Sequence, residues 1–378
     1  MTTSDLDTTT HTDPASSTDT ATDPVPLDPA AVEAFAQQVA GLITGGAATA
    51  MMVVGDRLGL YAELAQSGAV TSEQLASRTG CTERHLREWL AQQAATGILE
   101  HDPAHRTFRL PPERAAVLAG DESPASLIGA APIVTGMHRG LDRLVDAYRT
   151  GAGIPWGEQD ETVFEAIERF FGTAYRSFLL PQWLPALDGV AEKLTRGADV
   201  LDVGCGRAAP LLLMAQAFPA SRFHGIDLHA GSVAVARERI ADAGLTDRVE
   251  VEVSSCLDYP QRGYDLITFY DVLHDLGDPT AAAAYAREAL ASDGTVMVVE
   301  ERAGDDLAET LRTVPMAALN YAASAFLCTP NSLSQPGAVA LGSQAGARAV
   351  SQVLADAGFT RVRRAVDSPF HTVLEARL

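Results

Sequence analysis

Cysteine is scarce in this 378-residue chain: Cys81, Cys205, Cys256 and Cys328 lie far apart, with no Cys-x-x-Cys pair. That excludes a disulfide scaffold, argues against a zinc site and fits a reducing cytoplasm. Cations are few as well. Lys and Arg total 28 against 49 Asp and Glu, a formal net charge of −21. A field of that sign repels nucleic-acid phosphates and anionic membranes, so the expected partner is a small molecule. The first residues lack a basic stretch followed by an apolar core, so no secretory signal is expected. No apolar run approaches membrane-spanning length. What remains is an ordinary globular composition, 47% hydrophobic and 20% charged, in a chain long enough for two domains.

Residues 1–29 are rich in Thr, Ser, Asp and Pro and nearly free of large apolar side chains. Such a segment cannot offset its ordering entropy by burial, and disorder is expected. From Ala30, Val32, Phe35, Val39 and Leu42 recur at helical spacing, Gly45-Gly46 interrupts, and the pattern resumes from Ala50 to Leu64. Thr71 or Ser72 can cap a short helix closed by Gly80. A second helix runs from Thr82 to Ala95 with Leu86, Trp89, Leu90 and Ala94 on one side. Two short strands follow around Asp102-Pro103. This order predicts a winged helix over residues 30–120. Its would-be recognition helix carries only Arg84, His85 and Arg87, a thin footprint for DNA, so a dimerisation and pocket-closing module is expected instead.

Residues 121–197 read as helical, broken by the Gly/Pro-rich loop Gly151 to Asp160 around Trp156, which suits a lid. Phe164, Phe170-Phe171, Tyr175, Phe178 and Trp183 form an aromatic stripe, expected to be mostly core. From residue 198 to 378 apolar strands alternate with helices, predicting parallel strands with helices on both faces. Strands are expected over Arg248 to Val253, Tyr264 to Tyr270 and Thr295 to Glu300, with a helix from Thr280 to Ala291. An insertion, 305–346, carries a helix near Leu311 to Phe326. The last two strands, Thr360 to Val366 and His371 to Ala376, flank Asp367-Ser368-Pro369 and should pair antiparallel. The fold class is thus α/β, a doubly wound sheet behind a mostly helical N-terminal domain.

The organising stretch is Asp199-Val200-Leu201-Asp202-Val203-Gly204-Cys205-Gly206, a buried strand running into a tight Gly-x-Gly turn and a helix start. Only glycine lets a backbone turn this sharply beside a ligand, and the free amides of the helix start can meet a polar or anionic group. Asp202 precedes the turn. A second apolar strand, Arg222 to Ile226, ends at Asp227, where a carboxylate can accept both hydroxyls of a ribose. Leu-Asp-Val-Gly-Cys-Gly followed by Gly-Ile-Asp resembles the signature of class I S-adenosylmethionine (SAM) methyltransferases, seven-stranded Rossmann-like enzymes. The resemblance implies that Asp202 lies near the methionine amino group and that Asp227 grips the ribose. The third glycine of that family is replaced by Ala208.

Further cofactor contacts are expected at the strand ends: Gly204, Cys205, Gly206, Leu228, Tyr270, and Ser255 with Cys256 at the adenine, where many relatives hold an acid. Trp156 is expected to close over the cofactor. Leu273-His274-Asp275 resembles the segment of plant-type O-methyltransferases in which the histidine takes the proton of the acceptor hydroxyl. Histidine suits that work because its ordinary pKa lies near neutrality. Glu300 matches the carboxylate that orients it. Arg87-Glu88-Trp89-Leu90, Trp156-Gly157-Glu158, Pro185 to Gly189 and Thr329 to Gln335 extend the resemblance to an actinobacterial group of SAM-dependent methyltransferases with an N-terminal winged helix. That group often has His where Gln159 stands and Glu where Ala347 stands, so two ionisable groups that could face the pocket are missing.

The resemblance implies a cytoplasmic, homodimeric SAM-dependent methyltransferase acting on a small molecule of the secondary-metabolite type, with His274 as general base and no metal. The alternatives are a SAM-fold enzyme catalysing a cyclisation or elimination, and a winged-helix regulator.

Overall fold

A computed structural model describes residues 26–378. The expected disordered tail lies, up to residue 25, outside the described residues. The first element is a helix, Pro29–Arg57. It runs through Gly45-Gly46, so the expected interruption is absent: two mid-helix glycines cost about 1 kcal/mol each, which a long alanine-rich helix tolerates. Being continuous, it also corrects a second expectation. With a mean hydropathy of 1.4 over its most apolar 18-residue window, it is long and apolar enough to cross a membrane by length and composition. Within the unit that ends at Gly46, Val32, Phe35, Val39, Leu42 and Ile43 are exposed.

The second unit begins at Ala47. Thr71 forms a full capping box with Gln74 and starts the helix Ser72–Thr79, and Thr82 precedes the helix Glu83–Ala95. The wing is β1 (Glu100–Asp102) paired antiparallel with β2 (Thr107–Arg109). Leu60, Tyr61, Leu64, Leu75, Leu86, Trp89 and Leu90 form the core beneath it. The cations of the would-be recognition helix are engaged on that helix itself, Arg84 with Glu88 and Arg87 with Glu83.

Seven strands make the main sheet: β3 (Asp199–Val203), β4 (Arg222–Asp227), β5 (Val249–Val253), β6 (Tyr264–Tyr270), β7 (Leu290–Glu301), β8 (Arg361–Asp367) and β9 (His371–Arg377). Their order is β5-β4-β3-β6-β7-β9-β8, parallel except that β9 runs against both neighbours. The chain steps outward from β3 to β5, then returns to the other side of β3 as β6. That reversal opens a crevice beyond the carboxyl ends of β3 and β6, where ligands of open α/β sheets bind. Two boundaries differ from expectation. β7 begins at Leu290 and absorbs Asp293-Gly294, because Tyr264 already pairs with Leu290 across an irregularity in β6. The insertion is broken into the helices Leu307–Thr313 and Ala317–Ala323, a π-helical turn Ser324–Cys328 and Thr329–Leu333.

Candidate active site

The crevice is a cavity of about 270 Å³. Asp202, Gly204, Cys205, Gly206, Asp227, Leu228, Cys256, Tyr270, Trp156 and His274 all line it. Ser255 does not: its hydroxyl accepts from the Leu257 amide within its own loop, and Ser254 reaches the wall instead. Glu300 stands behind the wall, against His274. Gln159 and Ala347 are not among the lining residues.

The glycine turn is held by geometry only glycine supplies. Gly204 has φ +74°, and a Cβ on it would lie 2.6 Å from a Val272 methyl. Its amide and that of Cys205 both donate to the Ile226 carbonyl, at 2.8 and 2.9 Å. Ala208, where the family has glycine, also adopts a left-handed conformation, φ +64°, a strain of about 1 kcal/mol that its complete burial must outweigh.

Two carboxylates meet at this turn. Asp227 accepts the Gly206 amide at 2.9 Å and the His229 amide at 2.7 Å, one on each oxygen. Burial raises its pKa. Asp202 is buried, and one oxygen accepts the Thr268 hydroxyl at 2.8 Å while the other has no partner. Burial pushes its pKa up to about 8. An orphaned carboxylate oxygen facing a cavity is a place for a ligand cation or donor.

His274 sits on a single 3₁₀ turn, Leu273–Asp275, at the mouth of β6. Its Nδ1 pairs with Glu300, whose other oxygen accepts the His274 amide at 3.3 Å. Nε2 is thereby left toward the cavity, 3.4 Å from an Asp275 oxygen. Burial alone would lower the imidazole's pKa, but Glu300 and Asp275 outweigh it and hold it well above the usual histidine range.

The turn is braced from the insertion. Asn331 and Gln335 donate to the Asp275 carbonyl at 3.3 and 2.9 Å, and the Ser332 hydroxyl donates to the Leu276 carbonyl at 2.8 Å. Asn331 also accepts the Trp156 amide at 3.1 Å, and Ile154 donates to the Pro330 carbonyl at 2.8 Å. One side chain therefore ties the Trp156 loop to the turn bearing His274. Asn331→Ala removes both bonds, each worth about 1 kcal/mol net. The variant is expected to unfold with about 1–2 kcal/mol less stability, read by denaturant titration; an unchanged midpoint would show that the brace is idle.

Other lining residues were given no catalytic or cofactor role from the sequence. Asp271, φ +54°, accepts the Tyr175 hydroxyl at 3.0 Å and stands 3.2 Å from the buried His371 imidazole. Glu301 follows Glu300 into the wall, where burial pushes its pKa up to about 7. Phe164, Phe170, Phe171 and Tyr175 line the cavity, whereas Phe178 and Trp183 pack in the core, so the aromatic stripe serves both roles.

Comparison with known proteins agrees with the domain order and the fold. Residues 46–120 match a family described as an Rv2258c-like winged HTH domain, and residues 194–336 match a methyltransferase domain. Domains and fold place the chain in the class of SAM-dependent methyltransferases that carry a winged helix-turn-helix domain ahead of the catalytic one. Among particular relatives, it is 27% identical to the mitomycin biosynthesis 6-O-methyltransferase of Streptomyces lavendulae, over 63% of this chain and 70% of that one. It is 34% identical to an uncharacterized protein of Synechococcus, syc1184_c, over 29% of this chain and only 27% of that protein. The solved structure of the mitomycin 7-O-methyltransferase MmcR superposes with a TM-score of 0.65 at 21% identity, covering 93% of this chain and 100% of the other.

Proposed function

We propose that the protein transfers a methyl group from SAM to a hydroxyl of a small molecule, with His274 as general base. The observation that carries this reading is the shared cavity: an orphaned Asp202 oxygen, the glycine turn with Asp227, and His274 backed by Glu300 all open into one crevice. SAM, when bound, supplies a methyl group activated on a sulfonium. The chain's own residues do the rest. Asp202 offers its free oxygen to the methionine ammonium, and Asp227 accepts ribose hydroxyls on its remaining lone pairs. The glycine turn, whose amides are held by the Ile226 carbonyl and Asp227, lets the backbone come close to the ligand. His274 accepts the acceptor's proton at Nε2, and Glu300 stabilises the imidazolium that forms. Trp156 and its loop exclude water as a lid, and Cys256 and Tyr270 border the adenine. An O-methylating reading is supported by the mitomycin relative, a 6-O-methyltransferase. We further propose a homodimer in the cytoplasm, with the N-terminal domain as the dimerisation module.

Product mass tests the reaction. Turnover with a gain of one methylene unit is the expected result; product formed with no such gain would replace methyl transfer by cyclisation or elimination on the same scaffold.

Asp202 gives a second check. With a pKa about 8 it is mostly protonated at pH 7 in the empty cavity. A cationic ligand favours the ionised form, so SAM binding at pH 7 should release up to about one proton. Calorimetry in buffers of different ionisation enthalpy reads this directly. The release should vanish in Asp202→Asn, and buffer-independent heats in the wild type would contradict the assignment.

A further inference from the structure

Three groups of different chemistry converge on the His274 side of the cavity. The ligand atoms of His274, Asp275 and Cys328 all lie within 4.8 Å of one another, and all three residues line the cavity. One Asp275 oxygen is buried 3.4 Å from His274 Nε2. His274 presents Nε2 because Nδ1 is engaged by Glu300. A carboxylate behind an imidazole is how proteins fix the tautomer and raise the basicity of a metal-ligating histidine. One sulfur, one imidazole and one carboxylate, with a fourth direction open to a cavity, is also the donor set of a zinc site that keeps an exchangeable position. In a tetrahedral site with bonds of about 2.0–2.3 Å, neighbouring donors stand roughly 3.3–3.8 Å apart. The 3.4 Å between His274 Nε2 and Asp275 already meets that spacing, and the Cys328 sulfur lies within 4.8 Å of both. The soft thiolate disfavours magnesium and calcium.

We propose that His274, Asp275 and Cys328 form a binding site for one thiophilic divalent cation of the zinc class, which switches off methyl transfer by occupying the base's Nε2. Coordination displaces the Cys328 thiol proton and any proton on Nε2 to solvent, so the ion competes directly with the acceptor's proton for the same lone pair. The sequence reading argued against a zinc site because no two cysteines are close. The structure brings one cysteine from the insertion to a histidine and an aspartate that are already adjacent. The inhibitory half of this proposal rests on the proposed reaction; the binding half does not.

The test uses the full chain, stripped with a chelator, and cobalt(II) as a coloured stand-in for zinc. One equivalent should produce a thiolate-to-cobalt charge-transfer band and intense tetrahedral visible bands, both abolished by adding zinc. Cys328→Ala should lose the charge-transfer band, while Cys81→Ser, remote from the cavity, should keep it. Binding of S-adenosylhomocysteine by calorimetry, measured in each protein, shows that the fold is intact. Where turnover is available, one equivalent of zinc should lower it about 10-fold or more, reversibly with chelator, and Cys328→Ala should escape most of that fractional loss. Wild-type protein that binds S-adenosylhomocysteine but gives no charge-transfer band would overturn the site. Equal inhibition in Cys328→Ala, or a rise in turnover on adding zinc, would overturn the inhibitory role. If no methyl transfer is found at all, the cobalt spectrum alone decides the site.

Discussion

His274→Ala is expected to bind SAM with near wild-type affinity and to turn over about 10²–10⁴-fold more slowly, the usual worth of a positioned general base. The separation of binding from turnover follows from position. The cofactor contacts proposed at Asp202, Asp227 and the glycine turn lie on β3 and β4, whereas His274 follows β6 and meets them only across the cavity. The pH profile makes the test sharper. A base works only when neutral, and His274 is held well above its ordinary pKa of 6.5 by Glu300 and Asp275. The imidazole is therefore protonated below that raised value and free to accept above it. Wild-type kcat/KM should climb as pH rises through a midpoint above the ordinary histidine range. Glu300→Gln removes one of the two carboxylates responsible and should move that midpoint down while lowering the plateau. Full turnover in His274→Ala would remove the histidine from the mechanism, and a profile flat from acid to alkaline pH would say that proton removal does not limit the reaction.

How much of this was readable beforehand depends on how local the signal was. The strand–turn–helix at Asp202 to Ala209 was legible because its apolar run, its glycines and its acid are contiguous. The antiparallel end was legible because the turn signal Asp367-Ser368-Pro369 separates two short strand-length segments. The Trp156 loop and the Thr329 to Gln335 segment each stood out in sequence, but nothing in either showed that Asn331 joins them. Cys328 beside His274, and His371 beside Asp271, are products of chain return: β9 is inserted next to β7 from the far end of the sequence, and the insertion folds back over the strand ends. The break expected at Gly45-Gly46 failed for the opposite reason. A local propensity of about 1 kcal/mol per glycine was read as decisive where the whole helix outweighs it. Ser255 misled because its neighbour in sequence, Ser254, takes the inward place on leaving β5.

Asp227→Ala is expected to abolish measurable SAM and S-adenosylhomocysteine binding. Two charge-assisted hydrogen bonds to ribose hydroxyls are worth about 1.5–3 kcal/mol each, and each 1.4 kcal/mol is tenfold in affinity, so the loss is roughly 10²–10⁴-fold. The carboxylate has a second duty that must be separated from the first. By accepting the Gly206 and His229 amides it also ties the glycine turn to the loop after β4, and alanine there leaves two amides without partners. Asp227→Asn separates the duties: its carbonyl oxygen can still accept one amide, but the charge is gone and an NH₂ faces where an acceptor stood. If the charge and its ribose bonds carry affinity, Asn should bind nearly as poorly as Ala while unfolding closer to wild type. Should Asn restore most of the affinity, Asp227 would be a brace for the turn, and the ribose would have to be held by other groups. Unchanged affinity in Ala would go further, because no other ionisable side chain follows β4 into the cavity at that point, and the crevice would then lack the grip on a nucleoside that the proposed reaction requires.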